Sequence, residues 1–329
     1  MKLATYQAAD GDISVGIVHA DNTRVFDLHA AAHKSGVGNL DRFTSMIALI
    51  DGGDAALAEA SDLFEKHAGD VTLSAVIGDI RLLSPLPEPR QMRDGMSYET
   101  HIRQSSRGMR RLALGDDKQA IATLDAEPLP PLADVYKLLP IYYITNRMIV
   151  SGPEDTVVWP DYSKVMDYEL EYGVVVGKTG KDISAANARD HIFGYTIFND
   201  FSARDQQAKE MPGWLGPAKG KSFDGANVLG PWIVTKDELA DPYTLKASVR
   251  VNGELRCEST TAGMLFSFEE ILSHMSQGET VHAGEFIGSG TIGNGCGLET
   301  GIFLEDGDVI ELEFEKIGVL KNKVLRRGK

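Results

Sequence analysis

Cysteine is scarce in this chain of 329 residues, which contains only Cys257 and Cys296. Two cysteines so far apart in sequence offer neither a disulfide framework nor a zinc site with four thiolate ligands. Long apolar runs are also missing, because no stretch approaches the roughly 18 residues that span a membrane. The first ten residues lack the apolar core of a signal peptide. These absences predict a protein of a reducing compartment, and we expect it in the cytoplasm without a membrane partner.

Clustered positive charge is missing as well. The formal net charge is -15, and no run of lysine and arginine forms a basic stripe. Nucleic acid and anionic membranes are therefore not expected as partners. With 43% hydrophobic and 25% charged residues, the composition is that of a globular protein with a sizeable core. An anionic substrate would have to be attracted by local arginine residues.

The first part of the chain has the pattern of a small α+β domain. Alternation of apolar and polar residues predicts two short strands, and two helical patterns follow them. Asp54 is the expected N-cap of the second helix. The predicted strands lie at 14–18 and 24–27, and the predicted helices at 40–50 and 55–67.

A proline-rich segment at 81–90 follows this part of the chain. Each proline removes a backbone donor and biases the preceding residue toward an extended conformation. We therefore place a domain boundary here. The prediction is a small N-terminal domain over 1–85 and a catalytic domain over 86–329.

Beyond residue 167 the pattern is mostly that of β-strands. Asn252-Gly253 between two apolar segments predicts a type I′ hairpin. Ser267 and Glu270 form a capping box that opens a helix. Because few helices interrupt the strands, the fold class predicted is mixed β with few helices (α+β), closed or strongly coiled rather than doubly wound. The predicted strands lie near 168–176, 193–199, 231–234, 245–251, 281–287 and 308–314.

Three acidic residues occur in unusual places among these strands. Glu169 and Glu171 stand two residues apart just before an apolar run, and Asp200 ends the next predicted strand. On a strand, residues i and i+2 point to the same face and lie roughly 7 Å apart. A site built from carboxylate oxygens alone suits Mg²⁺, Mn²⁺ or Ca²⁺ better than zinc. The alternative is a set of solvated carboxylates on exposed strand faces.

Upstream, the segment 93–101 contributes Asp94, a fourth candidate ligand, and His101, a histidine close to an acid-rich motif. Histidine is the side chain best suited to accept and return a proton near neutral pH. His101 is therefore a candidate general base. The alternative for a single histidine is a surface or packing role.

A glycine-rich loop at 288–297 begins with a GxGxxG pattern. The glycines continue where a helix should start, which argues against a dinucleotide site. Backbone amides in such a loop can approach a ligand, and Thr291 in the loop and Glu299 just after it are candidate polar contributions. An irregular turn without a ligand is the alternative.

Basic residues near these motifs are candidates for contacts with an anion. Lys221 would balance the acids or bind an anionic group. Arg107, Arg110 and Arg111 follow His101 and would clamp a carboxylate. The alternative interpretation is that these arginines form the solvent-exposed face of a helix.

In this order, the motifs resemble those of the fumarylacetoacetate hydrolase family over about residues 82–325. The resemblance implies a C-terminal β-roll domain, a smaller N-terminal domain, a homodimer and a divalent metal, Mg²⁺, Ca²⁺ or Mn²⁺. The segments that carry it are Asp94–His101, Asp167–Glu171, Phe198–Gln207, Gly220–Phe223 and Ser289–Glu299.

Position by position, the resemblance also implies roles for individual residues. His101 matches the histidine that activates water, Glu299 matches the carboxylate that orients it, and Lys221 is grouped with these catalytic residues. The matched metal ligands are Asp94, Glu169, Glu171 and Asp200. The matched substrate-binding positions are Arg110, Tyr142, Tyr143, Arg204, Gln207 and Thr291.

The reaction that the resemblance implies is metal-dependent hydrolysis of a carbon–carbon bond in an anionic 2,4-dioxo or other β-dicarbonyl acid. We expect the protein to act in the catabolism of aromatic compounds or sugar acids. The chain departs from the family pattern at Met211 and Gln104, which replace a substrate tyrosine and a glutamate of some members. One alternative is a decarboxylase or keto–enol isomerase of a 2-oxo acid, because the same chelate stabilises an enolate. Another is a non-catalytic binding protein with a structural cation.

Overall fold

Strands and helices alternate along the computed structural model, which describes residues 1–326. The strands are β1 (Lys2–Gln7), β2 (Ile13–Val18), β3 (Arg24–Asp27), β4 (Ser74–Val76), β5 (Arg81–Leu82), β6 (Met92–Gly95), β7 (Tyr142–Ile144), β8 (Val150–Ser151), β9 (Thr156–Trp159), β10 (Met166–Asp167), β11 (Glu171–Val176), β12 (Gly180–Lys181), β13 (Ile192–Asp200), β14 (Ser202–Ala203), β15 (Asn227–Thr235), β16 (Lys246–Val251), β17 (Glu254–Thr260), β18 (Thr280–Val281), β19 (Phe286–Gly288), β20 (Val309–Phe314) and β21 (Gly318–Arg326). The α-helices are α1 (Leu28–Lys34), α2 (Met46–Asp51), α3 (Gly53–His67), α4 (Glu99–Ala113), α5 (Lys118–Ala126), α6 (Val135–Leu138), α7 (Ala185–Ala188), α8 (Arg204–Glu210), α9 (Phe268–Ser276) and α10 (Gly297–Thr300). The predicted α+β class is confirmed.

A twelve-stranded sheet forms the centre of the fold. Ten of its strands follow the order β4-β3-β2-β1-β15-β13-β11-β19-β6-β7, while β5 pairs with β1 and β8 pairs with β15. A second sheet has five strands in the order β17-β16-β20-β21-β9. Because β1 pairs antiparallel with β15, strands from both segments of the chain share the large sheet. The domain boundary near residue 85 stays a prediction.

The central strands β11, β13 and β15 are buried along their whole length. On one face of the sheet, Phe198 and Phe286 belong to the same apolar cluster as the buried residues of α1, α2 and α3. On the other face, Tyr172 packs at ring-centroid distances of 5.1 Å from Phe268 in α9 and 5.5 Å from Phe314 in β20. Burial on both faces explains why these strands carry continuous apolar runs instead of alternation.

Two local predictions are confirmed in detail. Asn252 and Gly253 have φ angles of 53° and 78°, as a type I′ turn requires at its two central positions. Ser267 Oγ accepts the Glu270 amide at 3.2 Å, and the Ser267 amide donates to Glu270 Oε2 at 2.7 Å, which completes the capping box. Among residues 1–326, no helix is both long and apolar enough to cross a bilayer.

Several predicted element boundaries are wrong. The helix expected at 40–50 is divided into a 3₁₀ helix at Leu40–Phe43 and α2, which Ser45 Oγ caps by accepting the Ala48 amide at 3.1 Å. Helix α3 starts at Gly53 with Gly52 at the N-cap, so Asp54 lies inside its first turn. The strand expected at 281–287 is divided into β18 and β19 by a turn in which Glu285 accepts the His282 amide at 2.8 Å.

The strand expected at 168–176 is also shorter than predicted. Glu169 forms an isolated bridge with Cys296 of the glycine-rich loop. Regular pairing with β13 starts at Glu171, the first residue of β11. The two glutamates therefore do not alternate on one continuous strand, and each has its own surroundings.

Helix α4 makes a close backbone contact with α10. A methyl group added at Gly108 would lie 2.1 Å from the Leu298 carbonyl oxygen, which is far inside van der Waals contact. The absence of a side chain at this position lets the two helices approach. The contact fixes the position of α4, which carries His101 in its first turn.

We predict that Gly108→Ala lowers the free energy of unfolding by roughly 1–3 kcal/mol, because the added methyl forces α4 away from α10. Denaturant unfolding measures the change. Gly69→Ala is the matched control, because a methyl group there meets no atom of residues 1–326 within 4 Å. Equal losses of stability in the two variants would contradict the close contact.

Candidate active site and metal centre

Three buried carboxylates meet where the central strands of the large sheet end. Asp94 lies in β6, Glu171 opens β11 and Asp200 closes β13. Each offers an oxygen within 4.8 Å of the oxygens offered by the other two. A methyl group at Gly288 would lie 2.4 Å from Asp94 Oδ1, so a glycine is needed there for the Asp94 carboxylate to reach this position.

Burial and mutual repulsion act against ionisation of this three-carboxylate group. Burial, together with the charge of Asp200, raises the pKa of Asp94 above its ordinary value. Burial raises the pKa of Asp200 as well, although Lys221 opposes the shift. Burial and the charges of Asp94 and Glu169 raise the pKa of Glu171 well above its ordinary value. The group is therefore costly to keep ionised without a neutralising cation.

The hydrogen-bonding capacity of the group is also incomplete. Glu171 Oε2 and Asp200 Oδ1 are buried and have no hydrogen-bond partner within the described part of the chain. A buried carboxylate oxygen without a hydrogen-bond partner costs free energy of folding, and coordination of a cation offsets that cost. An all-oxygen donor set is the one that Mg²⁺, Ca²⁺ and Mn²⁺ prefer. Asp94, Glu171 and Asp200 therefore fit a divalent metal of this kind.

Glu169, the fourth predicted ligand, is placed differently. Its Oε1 accepts Arg204 Nη2 at 2.8 Å, and its Oε2 accepts Lys221 Nζ at 2.5 Å. Burial raises the pKa of Glu169, but the attraction of Lys221 and Arg204 outweighs burial and holds the pKa below its ordinary value. With both oxygens occupied by cationic side chains, Glu169 lies beside the three-carboxylate group instead of within it.

Lys221 joins Glu169 to the three-carboxylate group. Its ammonium also donates to Asp200 Oδ2 at 2.5 Å. Burial lowers the pKa of Lys221, but the charges of Asp200 and Glu169 raise it above its ordinary value, so the ammonium stays charged. The Tyr143 hydroxyl donates to the same Asp200 oxygen at 2.6 Å. Thr291 Oγ1 donates to Glu171 Oε1 at 3.2 Å.

Arg204 is fully buried and connects several of these groups. Its Nε donates to Asp167 Oδ2 at 2.8 Å, and its Nη1 donates to Gln207 Oε1 at 2.9 Å. Asp167 in turn accepts the amides of Gly297 and Leu298 at 2.7 and 2.9 Å. Sequence reasoning missed Asp167, although it lies two residues before Glu169 in the same acidic motif. Its carboxylate ties Arg204 to the start of α10.

His101 and Glu299 lie together as the sequence predicts. His101 Nδ1 is 3.4 Å from Glu299 Oε1. The Glu299 carboxylate is held by the amides of Asn294 and Cys296, at 3.0 and 3.1 Å. Both side chains are nearly inaccessible to solvent, at 6% and 0% exposure. A carboxylate fixed in this way orients the imidazole ring.

A cavity of about 470 Å³ brings these groups into one space. His101, Lys221 and Thr291 line it together with the carboxylates of Asp94 and Glu171. Further lining comes from Glu169, Arg204, Gln207, Tyr142 and Tyr143, and from apolar residues that include Met96, Met109 and Ile141. A small molecule in this cavity would reach both the three-carboxylate group and His101.

Arg110 is not brought to this cavity. It lies nine residues after His101 on α4, which is two and a half helical turns, so its side chain points to the opposite side of the helix. There Arg110 Nη1 contacts Glu127 Oε2 at 2.8 Å, and the arginine side chain is 58% exposed. The structure places Arg110 on the outer surface, away from the substrate-binding position that the resemblance implies.

Comparison with known proteins identifies relatives of the whole chain. A family model described as fumarylacetoacetate (FAA) hydrolase C-terminal matches residues 90–325. The oxaloacetate tautomerase YisK of Bacillus subtilis (strain 168) is 32% identical over 332 aligned positions, which cover 98% of this chain and 100% of that protein. The mitochondrial oxaloacetate tautomerase Fahd2a of Rattus norvegicus is 40% identical over 187 residues. That match covers 56% of this chain and 59% of the rat protein.

A solved structure shares the fold over its full length. The fumarylacetoacetate hydrolase from psychrophilic Exiguobacterium antarcticum superposes with a TM-score of 0.71 and is 28% identical. The match covers 99% of this chain and 100% of that one.

These relatives correct the predicted reaction. The curated relatives at 32% and 40% identity are named as oxaloacetate tautomerases, whereas the structure named as a hydrolase is 28% identical. A tautomerase moves a proton and a double bond and breaks no carbon–carbon bond. The prediction of a carbon–carbon hydrolase is therefore wrong, and the isomerase alternative agrees better with the relatives. Since the family model covers more than two thirds of the sequence, the chain belongs to the fumarylacetoacetate hydrolase family.

Proposed function

We propose that this protein is a keto–enol tautomerase of a small 2-oxo dicarboxylic acid, with oxaloacetate as the substrate to test first. The observation that carries the proposal is the shared cavity, because Asp94 and Glu171 of the three-carboxylate group line it together with His101, the partner of Glu299. The names of the curated relatives support the choice of substrate.

Charge at the site favours a metal-dependent reaction. Five carboxylates belong to the network, those of Asp94, Asp167, Glu169, Glu171 and Asp200, whereas Lys221 and Arg204 are its two cationic side chains. Five negative and two positive charges leave three negative charges when all groups are ionised. An anionic substrate would be repelled from such a site, and a divalent cation removes most of that repulsion.

Asp94, Glu171 and Asp200 are the residues that would hold the cation, and we propose Mg²⁺ or Mn²⁺, with Ca²⁺ as a further candidate. When bound, the cation would polarise the 2-oxo group of the substrate as a Lewis acid. Lys221 keeps Glu169 and Asp200 in place through its two ion pairs. Thr291 holds Glu171 by donating to Oε1, which leaves Oε2 for the cation.

His101 moves the proton in the proposed reaction. Because Nδ1 faces Glu299, the other ring nitrogen, Nε2, serves for exchange with the substrate. In the keto-to-enol direction Nε2 takes the proton from C3, the double bond forms between C2 and C3, and the former keto oxygen gains a proton from solvent. Glu299 stabilises the imidazolium that forms, as carboxylates do for catalytic histidines elsewhere. The reverse reaction returns the proton to C3.

The ultraviolet absorbance of enol oxaloacetate tests the proposed function. With Mg²⁺ present, the protein is expected to speed the loss of the enol signal above the rate with Mg²⁺ alone, without release of CO₂ or pyruvate. Release of CO₂ in step with turnover would instead identify a decarboxylase. Stoichiometric metal binding without any turnover of oxaloacetate or related 2-oxo diacids would favour a binding protein.

We predict that His101→Ala lowers kcat by roughly 10²- to 10⁴-fold, the range typical of a general acid–base group. Metal affinity should be retained, because His101 is not part of the three-carboxylate group. Glu299→Gln should cause a smaller loss, since it keeps the shape of the side chain and removes its charge. Arg110→Ala is the matched control on the same helix. Full activity of His101→Ala would exclude it as the proton-transfer residue.

Removal of the metal is predicted to lower thermal stability and to do so more at high pH. Because the pKa values of Asp94, Glu171 and Asp200 are raised, these carboxyls bind protons more tightly in the folded than in the unfolded chain. As pH rises through the raised values the protons are lost, repulsion grows and the metal-free protein loses stability. A cation at about 100 times its Kd adds roughly 2.7 kcal/mol, or roughly 5 °C in Tm.

The measurement compares the Tm increment from Mg²⁺ at about pH 8 and about pH 5.5, because protons compete with the metal at the lower pH. Glu171→Gln is expected to remove most of the increment. An equal increment at both pH values, or one that persists in Glu171→Gln, would place the metal elsewhere.

The homodimer and the cytoplasmic location stay predictions, and the rat relative is named as mitochondrial.

A further inference from the structure

A second group of possible metal ligands lies beside the three-carboxylate group, where α4 meets the loop before α10. His101, Cys296 and Glu299 each place one ligand atom within 4.8 Å of the other two. His101 Nδ1 is 3.4 Å from Glu299 Oε1 and 4.0 Å from Cys296 Sγ. We refer to these three residues as the His–Cys–Glu cluster.

The distances in this cluster are close to those of a tetrahedral metal site. With metal–nitrogen and metal–oxygen bonds of about 2.1 Å and metal–sulfur bonds of about 2.3 Å, tetrahedral angles separate nitrogen and oxygen ligands by roughly 3.4 Å and nitrogen and sulfur ligands by roughly 3.6 Å. The distance from Nδ1 to Oε1 already has this value. The distance from Cys296 Sγ to His101 Nδ1 exceeds the tetrahedral value by about 0.4 Å, and Sγ lies within 4.8 Å of a Glu299 oxygen.

The chemistry of the cluster differs from that of the three-carboxylate group. An imidazole nitrogen, a thiol sulfur and one carboxylate oxygen form a donor set that Zn²⁺ and Co²⁺ prefer, whereas Mg²⁺ and Ca²⁺ prefer oxygen alone. Cys296 is completely buried, and the Glu299 carboxylate is held by two backbone amides, so the ligands are fixed in advance. His101 lines the cavity, which is the side from which an ion would approach the cluster.

We propose that His101, Cys296 and Glu299 form an inhibitory site for a transition-metal ion such as Zn²⁺, separate from the three-carboxylate group. On binding, the Cys296 thiol loses its proton to solvent, and the thiolate sulfur coordinates the ion together with Nδ1 of His101 and a Glu299 oxygen. The single proton of the neutral imidazole then resides on Nε2. An Nε2 that carries this proton cannot accept another from the substrate, so tautomerisation stops.

The inhibitory effect rests on the proposed function, whereas the metal site does not. Two measurements therefore examine binding without turnover, and both use the full-length protein saturated with Mg²⁺. Titration with Co²⁺ should produce a thiolate-to-cobalt charge-transfer band in the near ultraviolet. X-ray absorption of the Zn²⁺-loaded protein should show one sulfur ligand at about 2.3 Å.

Variants at the two cysteines test whether the charge-transfer band comes from the His–Cys–Glu cluster. Cys296→Ser should remove the charge-transfer band and raise the Zn²⁺ concentration for half-inhibition at least about tenfold, each variant being compared with its own zinc-free activity. Cys257→Ser is the matched control, because Cys257 is the other buried thiol and lies outside the cluster. It should keep both the band and the sensitivity to Zn²⁺.

The proposal is overturned if Cys296→Ser keeps the band, if the zinc-loaded protein shows only oxygen and nitrogen ligands, or if excess Mg²⁺ relieves the inhibition, since relief would place Zn²⁺ at the three-carboxylate group. If Cys296→Ser fails to fold, X-ray absorption of the unaltered protein still decides. A protein that binds Co²⁺ with the expected band but does not turn over oxaloacetate would count only against the proposed function.

Discussion

Repulsion among buried carboxylates is the interaction on which the rest of this site depends. Two like charges 4 Å apart cost roughly 4 kcal/mol at an effective dielectric constant of 20, and three carboxylates meet here within 4.8 Å. Lys221 and Arg204 offset part of this cost through ion pairs with Glu169, Asp200 and Asp167. Within residues 1–326, two buried oxygens of this group have no hydrogen-bond partner. A divalent cation would satisfy them and neutralise the remaining negative charge.

The fold supplies the positions that make this arrangement possible. Strands β13, β11, β19 and β6 are neighbours in the large sheet, which brings acids that are distant in sequence to one end. Gly288 leaves room for the Asp94 carboxylate, and Gly108 lets α4 approach α10. Asp167 connects the charge network to α10, because its carboxylate accepts hydrogen bonds from Arg204 and from the first two amides of that helix. The position of the His101–Glu299 pair is thus tied to the same charge network.

Much of this arrangement could be predicted from the sequence, since short motifs carry local signals. The hairpin at Asn252-Gly253 and the capping box at Ser267 depend on neighbouring residues and are confirmed. Glu171 before an apolar run, Asp200 at the end of a predicted strand and Asp94 in the segment 93–101 were predicted as ligands, and the structure brings these three together.

Other features depended on tertiary contacts that no local pattern contains. Both oxygens of Glu169 are taken by Lys221 and Arg204, which lie 52 and 35 residues away in sequence. Arg110 shares a helix with His101, but the helical turn directs it to the opposite side, where it contacts Glu127. The type of reaction was the feature hardest to predict from the sequence, because the same carboxylates and histidine serve a hydrolase and a tautomerase alike. Only the comparison with relatives distinguished the two.

Hydrogen exchange at C3 of oxaloacetate, followed by NMR in D₂O with Mg²⁺, tests most directly whether the site moves a proton at that carbon. We expect the protein to speed deuterium incorporation at C3 above the rate with Mg²⁺ alone, with the carbon skeleton intact and with the acceleration lost in His101→Ala. Exchange at the background rate, or formation of pyruvate in proportion to the amount of protein, would contradict the proposed proton transfer.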